Sequence, residues 1–280
     1  MTKKEEKENK KILRTIFVIL ILFIALVFIY ARYVGTSGLV IKEYVIESPR
    51  LASNFHGLKI VHFSDLHFGT TVFLEELENV IANINELKPD LIIFTGDLID
   101  SSYEPDKEEL EKIINLLNRL DANIDIFAVR GNDDDTNIYK EIIESTDITL
   151  LENENELFYY KDDTPILLVG IDLKSDYNKA FEEIEELDYY TIVIAHHPDR
   201  FNQIRNRNID LFLAGHSHNG QVKLPFLGAI VKAAGARNYY DDEYHIGDTR
   251  MFISSGIGTT IMPIRLFNRP SINLYRFFAE

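Results

Sequence analysis

The chain reads as an α/β protein with an apolar helix ahead of the fold. Three observations predict this. Short apolar runs that stop at Gly, His or Asp alternate with segments of helical periodicity from Leu58 onward. The final third, from Gln221, is rich in strand formers and turns instead. An uncharged apolar stretch lies near the N-terminus. The clearest of the runs is Leu91 to Phe94, set between Pro89-Asp90 and Gly96-Asp97, which reads as a buried strand. A buried strand that ends at Gly and then presents a carboxylate marks the carboxyl edge of an α/β sheet, where ligands bind. Alone, Asp97 reads equally as a helix cap or turn residue.

Residues 1–11 form a basic tail with Lys3, Lys4, Lys7, Lys10 and Lys11. Residues 12–34 read as a single transmembrane anchor, uncharged from Thr15 to Ala31 and flanked by Arg14 and Arg32, which can snorkel. A cleaved signal peptide is the competing reading. The run is long for one, and no small-x-small cleavage site follows it, which favours an uncleaved anchor. Basic residues are denser before the span than after it, predicting a cytoplasmic N-terminus and an extracytoplasmic domain. Gly35-Thr-Ser-Gly38 reads as a linker of four residues, holding a domain at 39–280 close to the membrane.

Within that domain Leu39–Ile46 and Leu58–Ser64 predict strands, and 73–87 a helix with Leu74, Leu77, Val80, Ile81 and Ile84 on one face. The Leu91 strand follows, then a helix marked by Leu110, Ile113, Ile114 and Leu117. Ile124–Val129 is a strand and 136–145 a short helix. Pro165–Gly170, Thr191–Ala195 and Asp210–Ala214 are strands, with a helix over Phe181–Leu187. Met251–Ser254 and Ile272–Phe277 close the chain as strands. This order predicts a sheet core with helices outside and a second sheet contributed late. The apolar run Leu224–Val231 reads as a core strand or a cap, with contact to lipid as the alternative.

Composition narrows the chemistry. No cysteine is present, which excludes disulfides, thiolate metal sites and a cysteine nucleophile. The formal charge is −16, and from residue 35 onward 42 acidic residues face 22 basic ones. Such a surface repels nucleic acid, so none is expected as a partner. The strand ends are Asp65-Leu-His67, Gly96-Asp97, Gly131-Asn132, His196 and His216-Ser-His218. Each is weak evidence alone. Together they fall just after predicted strands, in an order a single sheet would gather along one edge. They supply seven N and O ligands, and Asp97 is placed to bridge two ions. Ligation without sulfur suits Mn, Fe, Zn, Co or Mg. His62 reads as packed within its strand, and His56 and His245 as surface residues. His197, before Pro198, is either a hydrogen-bond donor to a ligand or structural.

Those residues resemble the calcineurin-like metallophosphoesterases, whose signature runs D-x-H, G-D, G-N-[HD], H, G-H-x-H. Gly220–Gly228, Tyr244–Asp248 and Ser255–Arg265 look like its membrane-anchored bacterial branch. The resemblance implies a four-layer α/β/β/α sandwich. It also implies one divalent metal ion held by Asp65, His67, Asp97 and His218, and a second by Asp97, Asn132, His196 and His216. It further implies hydrolysis of a phosphodiester or pyrophosphate, including a lipid-linked one, by a metal-bridging hydroxide. One position departs from the usual pattern. Asp133 stands where the family generally has a histidine that donates a proton or positive charge. Either Asp133 is protonated there, or Arg130 or Arg237 supplies the charge, or good leaving groups make the acid dispensable. The alternative is a tethered metal-binding module that holds a phosphorylated ligand with little turnover.

Overall fold

The computed structural model describes residues 3–173, 177–182 and 188–279. Helix α1 (Lys3–Ile29) continues as one π-helical segment, Tyr30–Val34, with no residue of α1 buried. The joined helix, Lys3–Val34, is long and apolar enough to cross a membrane. At about 1.5 Å per residue its 32 residues exceed the roughly 30 Å of a hydrocarbon core.

The segment at 35–38, read as a short linker, follows a helix end that packs against the domain. Ala31 is buried, and its carbonyl accepts the Arg265 N–H at 2.9 Å. Gly35 lies so close to the Arg265 carbonyl that any Cβ there would collide with it. The anchor is therefore docked on the domain before the first strand begins.

The domain runs β1 (Val40–Glu47), β2 (Lys59–Phe63), α2 (Leu74–Glu86), β3 (Leu91–Phe94), α3 (Lys107–Leu117), β4 (Asp125–Ala128), α4 (Asn137–Glu144) and β5 (Thr149–Leu150). It continues β6 (Glu154–Tyr159), β7 (Pro165–Ile171), β8 (Tyr190–Ala195), α5 (Phe201–Ile204) and β9 (Leu211–Ala214). The last strands are β10 (Lys223–Leu224), β11 (Gly228–Ala229), β12 (Glu243–Ile246), β13 (Thr249–Ile253) and β14 (Ser271–Phe278). Helix starts follow local chemistry. Asp106 accepts the Glu109 N–H ahead of α3, and Thr136 accepts the Tyr139 N–H ahead of α4. Helix α2 buries Leu77, Val80, Ile81 and Ile84, the spacing of one helical face.

Two six-stranded sheets result, ordered β1-β14-β2-β3-β4-β5 and β12-β13-β9-β8-β7-β6. Their strands read as continuous apolar runs because both faces are covered. In β3, Leu91 and Ile93 point between the sheets, whereas Ile92 and Phe94 point toward α2 and α3. In β8, Ile192 and Ile194 meet them between the sheets, and Val193 and Ala195 face an outer layer with Phe201. The layers are thus α/β/β/α.

Two expectations need correction. The second sheet does not arrive late: it begins at β6, and the last strand, β14, instead returns to the first sheet between β1 and β2. The Leu224–Val231 run is not core, since Phe226, Leu227, Ile230 and Val231 are exposed. A 3-10 segment covers Tyr177–Phe181, and the helix expected over Phe181–Leu187 falls mostly on residues 183–187, which lie outside the described residues.

Strand direction decides where the polar strand ends collect. β2, β3 and β4 are parallel, as are β7, β8, β9 and β13, so their carboxyl ends gather at one end of the sandwich. β1 starts at Val40 beside Ser271, and β2 runs antiparallel to β14 and stops near that same point. The carboxyl ends therefore open on the side where the anchor attaches.

Because Ile93 is fully buried between the sheets, Ile93→Ala is expected to cost about 2–5 kcal/mol in denaturant unfolding of the full chain in detergent. Ile41→Ala, at an exposed position in β1, should stay within about 0.5 kcal/mol of the parent. Equal losses would contradict the inter-sheet core.

Candidate metal centre

The seven side chains singled out in the sequence converge at that end, but not from one sheet. Asp65 and His67 follow β2, Asp97 follows β3 and Asn132 follows β4, all in the first sheet; His196, His216 and His218 follow β8 and β9 in the second. The single-sheet expectation failed because a strand buried on both faces carries no mark of which sheet it joins. The sheets are tied together at the site itself. His216 N–H donates to both Asp65 oxygens at 3.0 and 3.1 Å, and His196 Nδ1 lies 2.6 Å from the Thr95 carbonyl.

The backbone there is strained. Asp65, His67, Asp97, His216 and His218 all have positive φ, between 40 and 64°, so five of the seven sit in the left-handed region that non-glycine residues avoid. Such outliers persist only where the surroundings over-determine them, and they cluster at functional sites. A close approach brings the β3 and β4 loops together. Gly96, at φ +90°, has no room for a Cβ against Gly131, and a Cβ on Gly131 would strike the Asp97 carboxylate.

Two groups of donor atoms share Asp97. In the first, His196 Nε2 lies 3.1 Å from Asp97 Oδ2, 3.1 Å from His216 Nδ1 and 3.2 Å from Asn132 Oδ1. The outward atoms fix the protons. His196 donates from Nδ1 to Thr95, His216 from Nε2 to the Ala234 carbonyl at 2.7 Å, and Asn132 from Nδ2 to Asp133 at 2.9 Å. With those protons outward, the four inward atoms can all offer lone pairs to one point, a set that suits a divalent cation; without one, against the cost of burial, the Asp97 charge raises His196 to about 10, so a proton on Nε2 takes that place. In the second group His67 Nε2 is 3.1 Å from His218 Nε2 and 3.6 Å from Asp97 Oδ2, and His218 Nε2 is 3.5 Å from Asp65 Oδ1. The residues present fit divalent metal ions.

Asp133 does not point where a proton donor for substrate would. Its Oδ2 sits 3.4 Å from His67 Nδ1, and its oxygens accept from Ser101 N and Asn132 Nδ2. Burial opposes its charge, but the His67 contact prevails and holds the carboxyl below its ordinary range, so it is ionised rather than protonated. Arg130 is also committed elsewhere, its fork paired with Asp172 at 2.9 and 3.2 Å and with Glu152 at 2.8 Å. Arg237 is exposed, and its backbone N–H donates to Asp199. His197 stacks on His216 with ring centroids 4.0 Å apart, its Nε2 3.4 Å from Asn132 Oδ1. Burial and the neighbouring imidazoles push it down to about 2, so it is neutral. His62 is neutral as well, lowered to about 3 by burial and bonded to Thr95 Oγ1 at 2.8 Å.

Three functional positions escaped the sequence reading. Asp134 is buried, and its carboxylate accepts backbone N–H groups from Asp97, Leu98 and Gly131 at 2.7, 2.9 and 2.7 Å. Burial and the Asp97 charge push it up to about 7 against those three donors. In Gly131-Asn-Asp-Asp-Asp135 nothing in the sequence separates it from Asp133 and Asp135. Asp100 stands 3.7 Å from His67 Nδ1 beside Asp133. Arg265, wholly buried, donates to the Ser255, Gly256 and Gly258 carbonyls and lies 3.3 Å from His218 Nδ1.

A family model for the calcineurin-like phosphoesterases matches residues 58–220. The chain is 32% identical over 255 residues to the "uncharacterized metallophosphoesterase YkuE" of Bacillus subtilis, covering 88% of each chain. It is 28% identical to the "phosphodiesterase YaeI" of Escherichia coli over 77% of this chain and 80% of that one. A cattle "transmembrane protein with metallophosphoesterase domain" is 29% identical over 81% of this chain, which spans 55% of that relative's length. Among solved structures, the Haemophilus influenzae NAD nucleotidase shares the fold at a TM-score of 0.50 and 13% identity, over 71% of this chain and 45% of that one.

Removing the Asp134 carboxylate leaves three backbone N–H groups without their acceptor. Asp134→Ala is expected to lower unfolding stability by about 2–5 kcal/mol, and to weaken Mn²⁺ binding by roughly tenfold or more, read by urea denaturation and calorimetric titration. Asp134→Asn, which keeps one accepting oxygen, should lose less on both. A variant that binds Mn²⁺ like the parent would show that Asp134 does not hold the Asp97 loop.

Proposed function

The chain belongs to the calcineurin-like phosphoesterases and is a metal-dependent phosphoester hydrolase; from that premise we propose that it cleaves a phosphodiester or pyrophosphate at a dinuclear metal centre, as a single-pass membrane protein with its domain outside the cytoplasm. The observation that carries this reading is the pair of donor groups sharing Asp97, whose inward atoms in the first group can all offer lone pairs to one point. Asp65, His67, Asp97 and His218 would hold one ion, and Asp97, Asn132, His196 and His216 the other. When bound, two such ions supply an activated water, orient the phosphorus and neutralise charge on its oxygens.

The chain's own residues do the positioning. Thr95 and Ala234 carbonyls fix the rings of His196 and His216 so that their lone pairs face inward. Asp133 is the carboxylate behind His67: its Oδ2, 3.4 Å from Nδ1, would favour a proton there and leave Nε2 for the metal, a contact short of a hydrogen bond in this structure. That role accounts for an acid at this position without asking a carboxylate to protonate a leaving group. Arg130 does not take over that task on this reading, since it is paired with Asp172 and Glu152. Leaving groups that need little protonation, such as pyrophosphates and aryl phosphodiesters, are the matching substrates. The anchor's orientation rests on the six basic residues from Lys3 to Arg14.

Hydrolysis of bis-p-nitrophenyl phosphate by the full chain with Mn²⁺ tests the reading. Asp97→Ala should lose turnover by more than about a hundredfold, together with both bound ions by elemental analysis. Asp133→Asn should weaken Mn²⁺ binding by about 10–100-fold, with turnover recovered at saturating metal. A proton-donating Asp133 would instead leave turnover depressed at every metal concentration and remove one limb of the pH profile. Stoichiometric metal without turnover on diester or pyrophosphate would overturn the assignment.

A further inference from the structure

An apolar cleft of about 170 Å³ opens beside the candidate metal ligands. His216 and His218 line it together with Val222, Val231, Ile261 and Met262. Its rim is unusual for a surface facing water. Phe226 is fully exposed, Ile261 is 91% exposed, Leu227 79%, and Val231 and Phe267 each 67%. Phe226, Ile261 and Phe267 also have φ of 67, 64 and 53°. A β-branched or aromatic side chain at positive φ is strained, and here that strain holds each of them out at a loop tip, where burial returns nothing.

Backbone hydrogen bonds trace this rim to the anchor. Ala31 ends the uncharged stretch of the helix, and its carbonyl accepts from Arg265 N–H. Residue 265 therefore lies where the helix leaves the bilayer. At no more than about 3.6 Å per residue, Phe267 and Ile261 fall within roughly 7 and 14 Å of that point. The next residue, Leu266, bridges Val222 and accepts from Lys223 N–H, which places the β10–β11 hairpin, with Phe226 and Leu227 at its turn, on the same side. The carboxyl ends of the strands face that side too. The Arg265 backbone touches the anchor while its guanidinium lies against His218, so one residue spans from membrane level to the centre.

We propose that the 222–234 and 260–267 loops are embedded in the leaflet that the anchor enters, and that the cleft between them takes a hydrocarbon chain of a membrane lipid whose phosphodiester or pyrophosphate reaches the metal centre. This rests on the hydrolase reading above and names its substrate class. The occupant is lipid because the exposed apolar side chains are continuous with a helix that already lies in lipid. The cleft's walls are nearly all hydrocarbon, and they include the candidate ligands His216 and His218. The reaction consumes one water: its oxygen bonds to phosphorus, the P–O bond to the leaving group breaks, and the leaving oxygen takes the proton.

The test uses the full chain in phosphatidylcholine vesicles with Mn²⁺. The absence of native cysteine allows single labels at Phe226→Cys, Ile261→Cys and, as a control, Asp162→Cys. Asp162 is exposed in the β6–β7 turn, beside Lys161, which bonds the His56 carbonyl; His56 in turn contacts Ala279, just past the far end of the eight-residue β14. That end is about 25 Å from the anchor at roughly 3.3 Å per residue. Environment-sensitive dyes at 226 and 261 should be quenched by doxyl-labelled lipid and the dye at 162 should not; equal quenching at all three, or none at 226 and 261, overturns the embedded rim. In parallel, dodecyl p-nitrophenyl phosphate should exceed methyl p-nitrophenyl phosphate in kcat/KM by at least about tenfold, and Ile261→Asp should bring that ratio toward one. A ratio near one in the parent, or one that Ile261→Asp does not move, overturns the lipid cleft while leaving the hydrolase reading intact. Turnover of neither ester overturns both.

Discussion

The structure depends on a crowded convergence: carboxylate oxygens, an amide oxygen and imidazole nitrogens aimed at one another, where either a proton on His196 or a cation must balance Asp97. Without either, such a cluster would repel itself apart, so the fold must impose it. Outward hydrogen bonds fix the tautomers, and Asp134 clamps the Asp97 and Gly131 backbones. Left-handed φ at five ligands shows what that imposition costs. The stability of the two buried sheets offsets the strain of this centre.

The sandwich makes this possible because its two sheets end at the same place. Neither sheet carries a complete ligand set. The first supplies the carboxylates, Asn132 and one histidine, and the second supplies three histidines. The inter-sheet core of Ile93, Ile192, Leu213 and Phe252 is therefore also the device that sets ligand distances. A shift of one sheet over the other by a fraction of an ångström changes every contact between the groups, since packed interiors transmit strain rather than absorb it.

All seven convergent side chains were legible in the sequence because each sits just beyond a buried strand, where a polar residue interrupts an apolar run. The strands of both sheets were legible for the same reason when fully buried. Short or half-exposed strands such as β5, β6 and β12 were not, since their residues alternate with charge and follow no strong period. Sheet membership was hidden because Val-, Ile- and Leu-rich strands of either sheet look alike. Asp134 was hidden by two identical neighbours, and Arg265 because a buried guanidinium satisfied by main-chain carbonyls leaves no pattern in the sequence. Leu224–Val231 misled in the opposite way. Its hydropathy called for burial, and the structure turns it outward.

That outward turn bears on how so acidic a domain works at a membrane. With 42 acidic against 22 basic residues beyond the anchor, long-range electrostatics oppose approach to anionic headgroups and to phosphate alike. Short-range forces must then bring the centre to its substrate. On the proposed reading the docked helix end would fix distance, the apolar rim would gain by leaving water, and two divalent ions would reverse the sign of the field inside the cleft. The three contributions act at different ranges, and each leaves the acidic outer surface untouched. A soluble phosphoester meets the repulsive surface first. A substrate already in the leaflet, as proposed above, would reach the centre from beneath it, along a hydrocarbon path with positive charge at its end.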